Sequence, residues 1–330
     1  MASLDLSAVI VAYLSAGTLP KALAALHMAS RGAAEVVVID NAAEPQTASL
    51  VGTAWPGATV ISNETNRGFA AAVNQGLAVT RGDPILLFNP DAELEPSALD
   101  VLLDALERLP DGGILAPRLL DRAGQPVLSC YPFLSLASVA WRHLQLHRLM
   151  PNVVHGRYRP RSLAPMRLDP FPVDWAQGAC LLVRRKVFER VGPLDERFFL
   201  YCEEVDLCRR AAGAGWRTYY VPAARVRHLE GSSSAQVVPL KLASHYFSKV
   251  LYFDKHHGLV QTTLLRGVLL LDLALRIAYR SAGLLLGGPA DARLRLDSYR
   301  AIASALLTAG PRQIEARWRA MGVTSLASSR

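Results

Sequence analysis

The sequence predicts an α/β protein with a mostly parallel central sheet flanked by helices, followed by a helical C-terminal region. Three observations support this prediction. Short apolar runs alternate with helical patterns over residues 5–116, an order typical of parallel sheets with right-handed crossovers. Polar residues follow these runs where strands should end. The 330 residues are 51% hydrophobic, which is enough to bury a sizeable core.

Four strands and three helices are predicted in residues 5–116. The strands are Leu6–Tyr13, Val36–Asp40, Thr59–Ser62 and Ile85–Phe88, and the helices are Leu19–Ala29, Ala70–Val79 and Ser97–Leu109. Residues 117–172 hold many prolines and no sustained periodicity, and further strands are predicted after residue 173 and at Trp216–Val221. The loop after the first strand has one glycine, Gly17. It lacks the Gly-rich phosphate loop that a dehydrogenase or a nucleotidyltransferase would need there.

The apolar run Ile85–Phe88 stops at a polar turn, Asn89-Pro90-Asp91. Pro90 ends the strand because it has no N–H to donate. Asn89 and Asp91 therefore lie at the carboxyl end of the strand, where α/β sheets bind ligands. Their oxygens suit a hard divalent cation that carries substrate phosphates. The alternative is an ordinary turn in which Asp91 or Glu93 caps the next helix.

Polar residues also follow the second and third strands. Asp40 and Asn41 close the second strand and share the sheet edge of the Asn-Pro-Asp turn. Beyond the third strand, Asn66 is placed to cap the following helix and Arg67 to reach a phosphate. Asn74, inside that helix, is either a satisfied packing residue or a ligand.

Three carboxylates, Glu203, Glu204 and Asp206, stand within four residues. Like charges this close repel each other, so the cluster indicates a bound cation, proton transfer, or both. At helical spacing Glu203 and Asp206 share a face, while Glu204 points elsewhere and can address a cleft. His228 follows a predicted strand and is either structural or a ligand.

The positive charge lies mainly in the C-terminal region. The net charge is +8, and residues 255–330 hold 11 Lys/Arg against 4 Asp/Glu. A Leu-rich basic tail favours an anionic membrane surface over nucleic acid. Charges interrupt Leu264–Leu286, so this segment is not expected to span a bilayer. Arg266, Arg276 and Arg280 cluster on one helical face, which predicts a helix in the membrane interface, or one packed on the preceding domain or on a second subunit.

A further basic stretch covers residues 142–167, with six Arg and no Asp or Glu, among them Arg157, Arg159 and Arg161. It is either a solvated loop or a mobile phosphate-binding loop. The four cysteines have neither zinc-ligand spacing nor the density of a secreted disulfide scaffold, and the N-terminal residues have no signal-peptide pattern. A cytoplasmic location is therefore expected.

Taken in order, these motifs resemble glycosyltransferase family 2, and within it bacterial rhamnosyltransferases and galactofuranosyltransferases of cell-surface polysaccharide assembly. The resemblance covers about residues 5–235. It is carried by Asp40-Asn41, Asn66-Arg67-Gly68-Phe69 with Asn74, Asn89-Pro90-Asp91, Trp175 with Gly178-Ala179, Asp195–Tyr201, Glu203–Leu207 and His228.

The resemblance implies a GT-A fold and transfer of a sugar with inversion at the anomeric carbon. The sugar that it favours most is L-rhamnose, transferred from dTDP-rhamnose. The donor would be a dTDP- or UDP-sugar, and the acceptor a hydroxyl of a glycan or of a polyprenyl-diphosphate-linked glycan. Residues 1–235 would form the catalytic domain, with donor binding in about 1–116 and acceptor binding in about 117–235. Residues 236–330 would associate with the cytoplasmic face of the membrane or form a homodimer.

The resemblance also assigns residues to roles. Glu204 would be the catalytic base, and Asp91, His228 and Asn89 would hold Mg²⁺ or Mn²⁺ on the donor diphosphate. The donor pocket would be lined by Asp40, Asn66, Arg67, Asn74, Asn89 and Asp91. The acceptor would be bordered by Asp174, Trp175, Glu203 and Asp206.

Three positions depart from the family pattern. The segment after Asn41 lacks a Ser, Glu204 stands where the family usually has Asp, and Asn89 is neutral. These departures leave open a catalytically silent nucleotide-sugar-binding or scaffold protein of the same fold. Retention of Asp91 and His228 favours an enzyme.

Overall fold

The computed structural model describes residues 6–146, 168–229, 238–285 and 291–327. Arg157, Arg159 and Arg161 of the predicted basic loop lie outside the described residues. The described chain divides into two compact units. Unit one comprises residues 6–133, 168–195 and 203–229, and unit two comprises residues 134–146, 196–202, 238–285 and 291–327.

Unit one is built on a mixed sheet. Its strands are β1 (Ser7–Ala12), β2 (Glu35–Asp40), β3 (Thr59–Ser62), β4 (Ile85–Phe88), β5 (Ala92–Leu94), β6 (Gly112–Leu120), β7 (Cys130–Tyr131), β8 (Phe171–Val173), β9 (Trp175–Ala176), β10 (Cys180–Val183) and β11 (Arg217–His228). The main sheet has the order β3-β2-β1-β4-β10-β6-β11-β5, and β8 pairs with β11. The first four strands run parallel, whereas β10 runs antiparallel between β4 and β6. β7 and β9 pair separately.

The helices of the described residues divide between the two units. They are α1 (Leu19–Ser30), α2 (Thr47–Ala54), α3 (Phe69–Val79), α4 (Ala98–Arg108), α5 (Leu136–His143), α6 (Arg185–Val191), α7 (Glu203–Gly213), α8 (Val238–His256), α9 (Gly258–Leu285), α10 (Asp291–Thr308) and α11 (Pro311–Ala327). Helices α1–α4, α6 and α7 belong to unit one, and the other helices belong to unit two.

The predicted fold class is confirmed, and the seven elements predicted before residue 116 are present with ends within two residues. Three elements of that region were not predicted. Helix α2 has eight residues and buries only Thr47 and Val51, too few for a periodic pattern. β5 has three residues, and β6 begins with two glycines and contains Pro117. β11 is longer than predicted because a register shift between Val221 and Arg225 accommodates Pro222.

The centre of unit one lies around β1 and β4, which are buried at every position. Strands covered on both faces have this continuous apolar pattern. One face packs against leucines of two helices, Leu19, Leu23 and Leu26 of α1 and Leu99, Leu102 and Leu106 of α4. On α3, Gly76 approaches β1 so closely that an added Cβ would lie 2.4 Å from Cγ1 of Val9.

Unit two packs its helices around large aromatic side chains. Trp318 is fully buried, lies near the rings of Phe199 and Phe247, and donates from Nε1 to Oγ of Ser244 at 3.0 Å. The division of the chain places residues 134–146 and 196–202 with the C-terminal helices. The sequence had suggested only a boundary near residue 235.

Three charged side chains of α9, Arg266, Asp272 and Arg276, are bonded inside unit two. Asp272 accepts hydrogen bonds from Tyr246 at 2.6 Å and from Arg276 Nε at 2.8 Å, and it lies 2.9 Å from Nδ1 of His143. The Arg266 guanidinium donates to the carbonyl of Leu306. By length and composition alone, Gly258–Leu284 is apolar enough to cross a membrane. Core helices of water-soluble proteins meet the same criterion.

We expect Gly76→Ala to destabilise the protein by about 1–3 kcal/mol, because the new methyl group must displace Val9. The matched control is Gly52→Ala in α2, where nothing lies within 4 Å of the added Cβ. That change should stabilise the protein by about 0.5–1 kcal/mol, because alanine is the better helix former. Thermal and urea unfolding would measure both. Equal effects of the two substitutions would contradict the close α3–β1 contact.

Candidate active site

The turn after β4 places a buried carboxylate at the end of the strand. The N–H of Asn89 donates to the Ala179 carbonyl at 2.9 Å, and the N–H of Ala92 donates to the Asn89 carbonyl at 3.2 Å. These bonds fix the chain on both sides of Pro90. Asp91 is 8% exposed, and Asn89 is half-buried beside it in sequence.

His228 lies against Asp91, as the metal prediction requires. β5 pairs with the end of β11 so that Ala92 opposes His228, and the N–H of Leu229 donates to the Asp91 carbonyl at 3.0 Å. Oδ1 of Asp91 and Nε2 of His228 are 3.2 Å apart. Nδ1 of His228 is buried and has no hydrogen-bond partner among the described residues.

Carboxylate and imidazole together fit a divalent cation that takes its other ligands from substrate phosphates. The described part of the chain contains no group of three or more His, Cys, Asp or Glu side chains that could hold a metal by itself. The donor set is therefore incomplete without an added oxygen ligand. Within this arrangement, Asp91 and His228 would hold the ion.

Asp40 shapes the loop after β2. Its Oδ1 accepts from the N–H groups of Ala42 at 3.1 Å and Glu44 at 3.3 Å. Oε2 of Glu44 in turn accepts from the N–H of Ser15 at 3.0 Å, so the loops after β1 and β2 are linked. Asp40 itself is 2% exposed. This carboxylate orders the loop in which the family Ser is missing.

A network of side-chain amides joins the ends of β2 and β3. Nδ2 of Asn41 donates to Oδ1 of Asn66 at 2.9 Å, and Nδ2 of Asn63 donates to Oδ1 of Asn41 at 3.1 Å. Gln75 of α3 exchanges two hydrogen bonds with Asn63. The N–H of Arg67 donates to Oδ1 of Asn41 at 3.0 Å, and the Arg67 residue is exposed. The network leaves Arg67 at the surface, where it can reach a ligand.

Asn74 is bonded to the backbone of a distant segment. Its Nδ2 donates to the carbonyl of Leu194 at 2.9 Å, and its Oδ1 accepts from the N–H of the same residue at 3.0 Å. This paired contact resembles one rung of a sheet. It favours the packing role over the ligand role for Asn74.

The three carboxylates at the start of α7 lie in three different environments. Asp206 is fully buried and accepts from Arg210 Nε at 2.8 Å. Arg210 also donates to the carbonyls of Val191 at 2.5 Å and Pro193 at 2.8 Å. Asp206 therefore orients an arginine that fastens the turn after α6, and its burial favours this structural role over acceptor contact.

Glu203 and Glu204 differ in exposure and in charge. Glu203 is 6% exposed, and burial together with the negative charge of Glu204 raises its pKa well above the ordinary value. This burial favours a packing role for Glu203 over contact with the acceptor. Glu204 is half-buried, with Oε2 of its carboxylate buried, and its Cβ would lie 3.7 Å from a Cβ added at Gly178. The pattern of burial agrees with the expectation that Glu204 points away from the face shared by Glu203 and Asp206.

Asp174 and Trp175 shortly precede Gly178 in the sequence, and their hydrogen bonds stabilise the small β7–β9 sheet. Nε1 of Trp175 donates to the Pro132 carbonyl at 2.8 Å, and its ring stacks on Tyr131 at 4.8 Å. Oδ2 of Asp174 accepts from the N–H of Phe133 at 3.0 Å. Tyr131 was not predicted from the sequence, because it stands in the segment without periodicity.

Comparisons with known proteins agree on one family. Residues 7–192 match the sequence profile described as "Glycosyl transferase family 2". An N-acetylglucosaminyl-diphospho-decaprenol L-rhamnosyltransferase of Mycobacterium tuberculosis is 34% identical over 266 residues, 77% of this chain and 85% of that protein. A low-salt glycan biosynthesis hexosyltransferase of Haloferax volcanii, Agl10, is 28% identical over 63% of this chain and 61% of its own length.

Solved structures share the fold. The mannosyltransferase PcManGT of Pyrobaculum calidifontis, solved with GDP-Man and Mn²⁺, superposes with a TM-score of 0.52 and 18% identity, covering 98% of this chain and 86% of that one. The expected GT-A fold is thereby confirmed. The profile covers more than half of the chain, and the mycobacterial relative is similar over most of both proteins. The chain therefore belongs to glycosyltransferase family 2.

Proposed function

We propose that this glycosyltransferase moves a hexose from a nucleotide-sugar to a hydroxyl of a polyprenyl-diphosphate-linked glycan, with inversion at the anomeric carbon. The best-supported sugar is L-rhamnose, with dTDP-rhamnose as the donor. The pairing of Asp91 with His228 at the end of β4 carries the proposal, because it supplies a site for a cation on the donor diphosphate. The name of the mycobacterial relative supports a rhamnosyl donor and a diphosphate-linked acceptor. Cell-surface polysaccharide synthesis is the corresponding cellular process.

Direct displacement needs two things from the protein. The diphosphate leaving group gains negative charge in the transition state, and Mg²⁺ or Mn²⁺ held by Asp91 and His228 would offset that charge. The attacking hydroxyl must lose its proton to a carboxylate within hydrogen-bond reach. Glu204 suits this second task because it keeps part of its surface exposed, whereas Glu203 and Asp206 are buried. Asp40, Asn66, Arg67 and Asn89 would line the donor pocket, and Asp174 and Trp175 the acceptor side.

Removing the Asp91 carboxylate should abolish transfer. We expect Asp91→Ala, or EDTA on the wild type, to lower the rate by at least roughly 10²-fold, since the leaving-group charge is then uncompensated. Titration with Mn²⁺ in the presence of dTDP, followed by electron paramagnetic resonance, should show weaker ion binding in the variant. Asp104→Ala on the exposed face of α4 is the matched control. Full activity in EDTA would contradict metal dependence.

Replacing Glu204 should stop chemistry without weakening donor binding. Glu204→Gln keeps the shape but accepts no proton, so kcat should fall by roughly 10²–10⁴-fold. The Kd for dTDP-rhamnose, from calorimetry, should remain near the wild-type value. Glu203→Gln, the matched neighbour, should reduce kcat far less. A larger loss in Glu203→Gln would mean that the base has been assigned to the wrong carboxylate.

Glu203→Gln also has a distinct effect on stability. The pKa of Glu203 is higher in the folded protein than in the unfolded chain, so the unfolded chain releases its proton at lower pH. Ionisation of this carboxyl therefore favours unfolding increasingly as pH rises above about 4.5, the ordinary value. Glutamine cannot ionise. The Tm of Glu203→Gln should therefore exceed the wild-type Tm at pH 8, and the two should converge near pH 4.

The membrane proposal rests on an exposed apolar stripe of α9. Val260, Leu264, Leu271, Leu275 and Tyr279 are each at least half exposed. The stripe runs for about 30 Å at 1.5 Å per residue. We propose that an anionic bilayer covers it, because residues 255–330 are strongly basic and lipid-linked acceptors lie in a membrane.

Charge on this stripe should release the protein from membranes. The double substitution Leu271→Glu/Leu275→Glu should reduce flotation with phosphatidylglycerol vesicles at least roughly tenfold, because buried charge opposes insertion. The matched control is Leu307→Glu on α10, another exposed leucine. Equal binding to anionic and neutral vesicles would contradict the proposal. A dimer in light scattering that the double substitution dissociates would instead assign the stripe to a second subunit.

A further inference from the structure

Two loops of unit one are joined by the carboxylate of Glu44. Its Oε2 accepts from the N–H of Ser15 at 3.0 Å, and the backbone N–H of Glu44 donates to Oδ1 of Asp40 at 3.3 Å. Ser15 lies in the loop after β1, and Asp40 ends β2. These strands pair in parallel, with Ala12 opposite Asp40, so both loops leave the same edge of the sheet. Glu44 therefore links Asp40 to the neighbouring loop.

Ser15 is the centre of the loop after β1. It is 2% exposed, and its Oγ accepts from the N–H of Tyr13 at 3.0 Å and donates to the Tyr13 carbonyl at 2.9 Å. Its carbonyl accepts from the N–H groups of Thr18 and Leu19, where α1 begins. The hydroxyl and the carbonyl of Ser15 thus order its own loop, and its N–H joins that loop to Glu44. Loss of the Glu44 carboxylate would remove the acceptor of this buried N–H, which is unfavourable.

A residue with left-handed backbone lies on each side of this hydrogen bond. Leu14 directly precedes Ser15, Ala43 directly precedes Glu44, and both have a φ of 50°. Residues other than glycine seldom adopt this region, and such a conformation persists only where the surrounding contacts hold it. The hydrogen bond joins the two residues that follow the strained positions. It therefore stabilises both turns at once.

We propose that Glu44 is a positioning residue for the donor nucleotide. Ligands of open α/β sheets bind at the carboxyl ends of the strands, and the proposed donor pocket includes Asp40, to which the Glu44 N–H is bonded. Glu44 holds the loops after β1 and β2 in one arrangement before the donor arrives, which lowers the ordering cost of binding. It acts through the two loops and makes no contact of its own with the donor. The assignment to the donor rests on the proposed function.

Loss of charge and loss of positioning have opposite effects on donor affinity. A carboxylate near a diphosphate repels it, so removal of the charge alone strengthens binding. Removal of the link between the loops weakens binding, because the protein must then order both loops when the donor binds. The sign of the change in Kd therefore distinguishes a loop link from a simple charge effect.

Calorimetry of dTDP binding to the full-length protein in the presence of Mn²⁺ tests the proposal. Glu44→Ala should raise the Kd at least roughly tenfold. Glu44→Gln should stay within roughly threefold of the wild type, because its side-chain carbonyl can still accept from the Ser15 N–H. The control, Glu64→Ala, removes an exposed carboxylate just after β3 and should not raise the Kd. A wild-type Kd in Glu44→Ala, or an equal loss in Glu44→Gln, would overturn the proposal.

Hydrogen exchange in the free protein separates positioning from direct contact with the nucleotide. Without nucleotide, Glu44→Ala should speed exchange of the backbone amides of residues 13–19 at least roughly fivefold, because the loop has lost its anchor. Glu44→Asp keeps the charge but shortens the side chain, and it should show the same acceleration should Glu44→Ala fail to fold. Unchanged exchange together with weaker dTDP binding would mean that Glu44 contacts the nucleotide itself, and would overturn the proposal.

Steady-state kinetics with dTDP-rhamnose provide a third measurement. Glu44→Ala should raise the donor KM at least roughly tenfold while kcat and the acceptor KM stay near the wild-type values, because the residue acts on binding and not on the chemical step. A lower kcat with an unchanged donor KM would overturn the positioning role.

The proposed function and the assignment of Glu44 fail in different ways. If the wild-type protein binds neither dTDP nor UDP, the proposed donor class fails, and the assignment of Glu44 fails with it. If the wild type binds dTDP and transfers the sugar, but Glu44→Ala keeps the wild-type Kd, the proposed function stands and only the assignment of Glu44 fails.

Discussion

The candidate site depends on a short antiparallel ladder between β5 and β11. β5 has only three residues, yet its pairing with Val226–His228 fixes the imidazole beside the Asp91 carboxylate. Both strands lie next to a turn in which Pro90 prevents β4 from continuing. A change of register by one residue would turn His228 to the other face of the sheet. The 3.2 Å contact is therefore a consequence of backbone pairing.

Burial separates the roles of carboxylates that are adjacent in sequence. Asp206 pairs with Arg210 and fastens a turn, while burial and the charge of Glu204 raise the pKa of Glu203. Of the three, Glu204 keeps part of its surface exposed, as a group that must reach a substrate hydroxyl requires. Three acids within four residues thus serve different purposes.

Much of this could be predicted from the sequence, for physical reasons that differ between residues. Apolar runs ended by polar turns identified β1, β2 and β4, because parallel strands inside a sheet are buried on both faces. The pairing of Asp91 with His228 was expected only from the family resemblance, since 137 positions separate them in the chain. The Asn74–Leu194 contact and the bonds from Arg210 to the carbonyls of Val191 and Pro193 could not be predicted, because the sequence does not show which backbone groups a folded chain leaves unpaired. β6 was not predicted, because its two glycines and Pro117 interrupt the apolar run that is typical of a fully buried strand.

The helix α9 illustrates a limit of reasoning from helical periodicity. Clustering of arginines marked one face of the helix, but that face packs against protein. Arg266 bonds to the Leu306 carbonyl and Arg276 to Asp272, so these arginines are used within unit two. Leucines occupy two faces: Leu265, Leu269 and Leu273 are buried on the same face as the arginines, and Leu264, Leu271 and Leu275 are exposed on the opposite face. The two leucine faces have the same composition, and only the folded chain distinguishes the face that packs from the face that stays exposed.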